Sequence, residues 1–205
     1  YAALEALRDL GFAPRRVVGS SAGAVAAGLY YHGVTLDHFK SVVNLRRYRR
    51  LFRVGRPAKN LVDHAQQAIE KTTAIARVLQ GKPIIEPELV AGLFHDIWRA
   101  RDPNSPPPFM RQQDPEIIAL ATDLLERKHF ELSGSDYPLV QALAETSRLA
   151  FYFAGWKDAR AVPLPADFAR RLSKAELATD GVLLLDGGIF ANLPIHVLQT
   201  RAADP

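Results

Sequence analysis

Arg16-Val17-Val18-Gly19-Ser20-Ser21-Ala22-Gly23-Ala24-Val25-Ala26-Ala27-Gly28-Leu29 is the stretch that decides how this 205-residue chain folds. Val17 and Val18 make a short apolar run of the kind a buried strand needs. The run breaks at Gly19-Ser20-Ser21-Ala22-Gly23, and the residues that follow are small and apolar on nearly all sides, as in a buried helix. Upstream, Leu4, Leu7 and Leu10 recur at helical spacing and Gly11 supplies a stop. Helix, strand, tight turn, helix is the grammar of an α/β domain.

The tight turn also carries chemistry. Gly19-x-Ser21-x-Gly23 has the pattern of a nucleophile elbow. A serine hydroxyl is a poor nucleophile, so it must be held exposed on a sharp turn within reach of a base. Flanking glycines permit close backbone approach and torsions that a Cβ disfavours. A helix that starts at the serine points unpaired N–H groups and the positive end of its dipole at any developing oxyanion. Three fixed residues are weak evidence alone; the strand before them and the small-residue helix after them supply the context.

Downstream, Thr35 is placed to cap a helix over Leu36 to Leu45, and Asn60 with Asp63 to cap a longer one running to Gly81. Pro87 suits the first position of a third helix through Arg101, with Leu93, Phe94 and Ile97 on one face. Asp102 to Pro108 holds four prolines and reads as a loop. Residues 35 to 108 therefore read as a helical insertion. Sheet returns at Glu116 to Ala121, ending in Thr122-Asp123; Lys128 to Leu132 alternates like an edge strand, and Tyr137 to Leu149 reads as helix. Gly181 to Leu185 is an apolar run that stops at Asp186-Gly187-Gly188. Open α/β sheets present their chemistry at strand ends, so Asp186 is a candidate to meet the serine.

Taken together these segments resemble the patatin-like phospholipase family. Its elbow matches Val18-Gly19-Ser20-Ser21-Ala22-Gly23-Ala24, and its Asp-Gly-Gly followed by Asn-x-Pro matches Asp186-Gly187-Gly188 with Asn192-Leu193-Pro194. Ala121-Thr122-Asp123-Leu124 resembles a further recurrent segment between them. The resemblance implies one catalytic domain over residues 1–205: a three-layer α/β fold with a mostly parallel central sheet and a helical insertion. It implies a lipid acyl hydrolase in which Ser21 attacks an ester carbonyl and Asp186 takes the proton, through an acyl-enzyme, with no metal or organic cofactor. Elbow and turn residues would be Gly19, Ser20, Ala22, Gly23, Gly187 and Gly188, with Asn192 a secondary candidate. An ordinary carboxylate, with a pKa of about 3.9, is a feeble base toward serine; such a site must be partly desolvated or the transfer concerted with attack. The family also carries a first strand and a glycine-rich oxyanion loop expected ahead of Tyr1. After Thr146-Ser147 it usually has an Ala-Ile-Pro-like turn, where this chain has Arg148-Leu149-Ala150.

Rivals stay open. His196 follows the last strand, where a Ser–His–Asp triad would keep its base; Asp123 ends another strand. The remaining histidines lack metal-site spacing. Trp98 and Trp156 read as packing residues or membrane-interface contacts. A transacylase on the same dyad, or a non-catalytic membrane-binding relative, are the alternative functions.

The net charge of +4 is concentrated in Arg46, Arg47, Arg49, Arg50, Arg53, Arg56 and Lys59, interleaved with Leu45, Tyr48, Leu51 and Phe52. Such a basic, amphipathic face suits anionic lipid headgroups as well as plain solvation, and no recognition motif accompanies it that would argue for nucleic acid. There are no cysteines, hence no disulfide framework and no thiolate chemistry. No apolar run approaches the roughly 18 residues of a spanning helix. The expected location is cytoplasmic or membrane-peripheral, with any targeting segment lying upstream of the sequence.

Overall fold

The computed structural model describes residues 1–52, 61–80, 82–110, 114–123, 127–134, 137–149 and 184–202. The opening elements are α1 (Ala2–Asp9), β1 (Arg16–Ser20) and α2 (Ser21–Tyr31), in the predicted order. Then come α3 (Leu36–Val43), a 3-10 helix (Arg46–Phe52), α4 (Leu61–Leu79) and α5 (Pro87–Arg101). The second half holds β2 (Glu116–Asp123), β3 (Lys128–Leu132), α6 (Leu139–Thr146), β4 (Leu184–Asp186), α7 (Gly188–Ala191) and α8 (Ile195–Ala202).

Local chemistry explains several boundaries. The Thr35 hydroxyl accepts from the His38 amide at 3.2 Å and the His38 ring accepts from the Thr35 amide, a reciprocal box that opens α3. Pro87 takes the first turn of α5, where its missing N–H is harmless. The run Leu93, Phe94, Ile97 and Trp98 is buried along α5 as its spacing predicts. The Trp98 indole donates to the Ser105 carbonyl at 3.1 Å, which pins the start of the proline loop.

β2 is the axis of the molecule, and its alternation sorts two layers. Ile117, Ala119 and Ala121 join the larger core with Ala24 and Leu29 of α2, Leu93 and Ile97 of α5, and Leu139, Ala142 and Leu143 of α6. Ile118 and Leu120 point the other way, to Ala191 of α7 and Val197 of α8, with Val18 of β1 beside them. A period of two on one strand thus places helices on both faces of the sheet, the three-layer α/β arrangement.

The sheet itself is mixed. β1 pairs with β2 in parallel, joined through the helices from α2 to α5. β3 and β4 both pair with β2 antiparallel. For β3 the reason is chain length: the step from Asp123 to Lys128 is far too short for a parallel crossover. β3 alternates as an edge strand does, with Phe130 and Leu132 buried and Lys128 exposed.

Register fixes where the site forms. β3 faces Ala119 to Asp123 along one edge of β2. A strand has two edges, so β4, which pairs with Ala121 to Asp123, shares the edge used by β1. β1 ends with Ser20 opposite Leu120, and β4, running the other way, ends with Asp186 opposite Ala121. The two strands meet tip to tip.

Candidate active site

That meeting brings the elbow serine to the aspartate. Ser20 is extended (φ −123°, ψ 149°), Ser21 turns into the left-handed region at φ +48°, and α2 starts there. A non-glycine residue at positive φ is uncommon and strained, and such strain concentrates at functional sites. Gly19 makes the turn possible: a Cβ on it would stand 2.6 Å from the Ala24 nitrogen and 2.8 Å from the Ala24 Cα. Gly23 has no such need, since a Cβ there would meet nothing within 4 Å. Of the two glycines of the elbow pattern, steric exclusion thus requires only the first.

The Ser21 hydroxyl donates to Asp186 Oδ2 at 2.6 Å, within the range for an O–H bonded to a carboxylate. The second oxygen, Oδ1, accepts from the Gly188 amide at 2.8 Å. Asp186 is buried, only 6% exposed. Its main chain is held on both sides: the amide donates to the Arg148 carbonyl at 2.9 Å, and its carbonyl accepts from the Thr122 hydroxyl at 2.9 Å. Gly187 must be glycine, because a Cβ would overlap the Leu120 carbonyl. The carboxylate therefore has one oxygen committed to the turn and the other to Ser21. That arrangement suits proton transfer from the hydroxyl.

The remaining candidates fall around this pair. The Ser20 hydroxyl donates to the Asn192 carbonyl at 3.3 Å, so Asn192 reaches the elbow through its main chain. Gly188 opens α7, and Ala22 lies exposed at the start of α2. Asp123 is buried at the end of β2, opposite Leu184 and Lys128, while the Ser21 hydroxyl is given to Asp186. His196 is on the outside of α8 against His129 of β3, ring nitrogens 3.4 Å apart. Desolvation, then the neighbouring His196, lowers the His129 pKa below its usual value. The observed contacts thus join the serine to Asp186 and place His196 in a surface pair.

Two supporting residues were not legible beforehand: Thr122 and Thr146, both fully buried. The Thr146 hydroxyl accepts from the Ser21 amide at 2.9 Å and donates to the Leu120 carbonyl. Buried hydroxyls beside a candidate motif are a signal, but their partners depend on strand register.

Of the basic run, Arg53, Arg56 and Lys59 lie outside the described residues, as does Trp156. Arg46 is exposed on the 3-10 helix. Arg47 pairs with the Asp96 carboxylate and lies 4.9 Å over the Tyr48 ring. The buried Tyr48 hydroxyl also donates to Asp96; burial first, then that carboxylate, pushes its pKa up to about 12. Part of the run therefore ties the 3-10 helix to α5 within the insertion.

Among the described residues no group of three or more His, Asp or Glu side chains is arranged to hold a metal ion, and no helix is long and apolar enough to cross a membrane. No curated protein matches the chain. A family model described as patatin-like phospholipase matches residues 2–198, nearly the whole sequence, with the elbow and the Asp-Gly-Gly turn inside the match; the chain belongs to that family.

Proposed function

We propose that the chain is a serine hydrolase of lipid acyl esters that works through a Ser21–Asp186 dyad. The observation that carries this reading is the 2.6 Å hydrogen bond from the Ser21 hydroxyl to a buried carboxylate. In the proposed sequence Oγ of Ser21 attacks the ester carbonyl while its proton passes to Oδ2 of Asp186. The tetrahedral intermediate collapses, the leaving alcohol takes that proton, and an acyl-serine remains. Water then attacks the acyl carbon, Asp186 accepts its proton, and the acid departs with Ser21 restored. The nucleophile stands at the N-terminal end of α2, whose amides and dipole favour negative charge there. Phospholipids and lysophospholipids are the proposed substrates, and a second alcohol in place of water would make the same dyad a transacylase.

The test is fluorophosphonate labelling of the natural full-length protein beside Ser21→Ala, Asp186→Asn and His196→Ala. Labelling that is lost in the first two and retained in the third is expected. Labelling that depends on His196 would instead support a triad. Product analysis with an added alcohol acceptor separates hydrolysis from transfer.

We further propose that the insertion rests against an anionic lipid surface. α4 leaves Ile69, Ile75 and Leu79 between 61% and 76% exposed. It follows directly on the basic run from Arg46 to Lys59, a pairing of exposed apolar side chains and positive charge that suits a bilayer interface.

A further inference from the structure

The end of α6 holds both halves of the site. The Thr146 hydroxyl receives the Ser21 amide at 2.9 Å and gives its own proton to the Leu120 carbonyl on β2. The Thr146 carbonyl receives the Gly187 amide at 3.3 Å, and two residues on, the Arg148 carbonyl receives the Asp186 amide at 2.9 Å. One short segment thus fixes the nucleophile's main chain, the aspartate's main chain and the turn between Asp186 and α7. The Glu145–Arg148 ion pair, 3.1 Å across, braces it within the same turn.

The Ser21 amide needs this partner. First-turn amides of a helix have no intrahelical acceptor, and a capping side chain serves the second or third of them rather than the first. Ser20 is the cap here, and its hydroxyl goes to the Asn192 carbonyl, so the Ser21 amide has to find its acceptor outside the helix. Thr146 supplies the missing acceptor from another helix, at a residue held at φ +48° and fully screened from water on the Thr146 side. It follows that the Ser21 amide is engaged and that oxyanion donors lie elsewhere.

We propose that Thr146 is a positioning residue for the dyad: its hydroxyl holds the Ser21 main chain in the left-handed turn that aims Oγ at Asp186. The inference rests on the Ser21–Asp186 reading above. A valine at 146 keeps the shape and removes both bonds; a serine keeps both bonds and removes a methyl group. A displacement of about 1 Å at a reacting group costs about 10²-fold in rate.

The experiment measures, on the full-length protein, the fluorophosphonate labelling rate per folded molecule, together with kcat and KM on a short-chain p-nitrophenyl ester. Variants are Thr146→Val, Thr146→Ser and Ser21→Ala, with the folded fraction taken from near-ultraviolet circular dichroism. Thr146→Val is expected to lower the labelling rate and kcat about 10–100-fold at unchanged KM, and Thr146→Ser to restore most of both. A wild-type labelling rate in Thr146→Val overturns the proposal. Equal slowing in Val and Ser variants also overturns it, because packing of the methyl would then be the cause. If Thr146→Val does not fold, Thr146→Cys takes its place: a thiol is a weak donor and acceptor, so slow labelling is expected and a wild-type rate overturns the proposal. Hydrolysis that persists in Ser21→Ala would defeat the dyad itself, a failure read separately from the Thr146 variants.

Discussion

The elbow and α4 are both written plainly in the sequence, yet they stand in opposite conditions. At the elbow there is no spare volume: Gly19 and Gly187 each sit where a single added carbon would strike backbone. Main-chain groups there are bonded to α6, α7 and β2. Along α4 Ile69, Ile75 and Leu79 are largely exposed, Thr72 and Thr73 bond back to their own helix, and near its end Arg77 donates to the Pro83 carbonyl at 2.6 Å. Pattern alone creates an element; it takes exclusion and bonded partners to fix one in place. The elbow has both, and α4 has its periodicity.

Three changes would break or sharpen that contrast. The largest effect belongs to Gly187→Ala. The new Cβ overlaps the Leu120 carbonyl, and backbone cannot yield as a side chain does, so the cost should exceed the about 1–3 kcal/mol of an ordinary overpacked core. Gly23→Ala, in open space, should leave the melting temperature unchanged or slightly raised, since alanine is the better helix former. Similar melting curves for the two variants would refute the steric account.

A smaller effect is expected from Ile69→Ser combined with Leu79→Ser. Binding to anionic phospholipid vesicles should weaken by about 30-fold, at roughly 1 kcal/mol for each half-immersed side chain. Hydrolysis of a soluble short-chain ester should not change. Sedimentation with vesicles measures the first; an unaltered partition would remove α4 from the lipid contact, and a lowered melting temperature would make these side chains part of the fold.

The smallest effect concerns the His129–His196 pair. Desolvation, then His196, holds the His129 pKa below 6.5, with Lys128 adding to the depression and Glu131 opposing it. The folded state thus binds that proton less readily than the unfolded chain. Its contribution is present above about pH 6.5 and is lost as pH falls through the depressed value. Thermal melts between pH 7.5 and 5.5 should show a modest loss of stability, reduced in His196→Ala. An equal loss in both proteins would mean the pair is electrostatically inert.

Much of this site was legible because its signals are local. The apolar run before Gly19, the small residues after Ser21 and the stop at Asp186 each depend on a few neighbours in sequence, and α5 follows from its proline start and apolar spacing. What escaped depends on register. Nothing in the letters around Thr146 says that its hydroxyl meets the Ser21 amide, because that contact exists only once α6 is packed against β2. The direction of β4 is hidden for the same reason: an apolar run carries no polarity, and the pairing with Ala121 to Asp123 decides it. Arg47 shows a third limit. In sequence it is one more charge in a basic run, and only the fold reveals Asp96 beneath it.

The tip-to-tip meeting of β1 and β4 has a consequence in time. Ser21 and Asp186 are 165 residues apart and share a single reference, one edge of β2. A ribosome delivers the elbow first and the aspartate 165 residues later, at about 5–20 residues per second. For roughly ten seconds or more the emerging chain carries the proposed nucleophile without its proposed base. On the proposed dyad, an unfinished copy would stay inactive until β4 docks beside β1, so the order of synthesis itself would withhold the proposed activity.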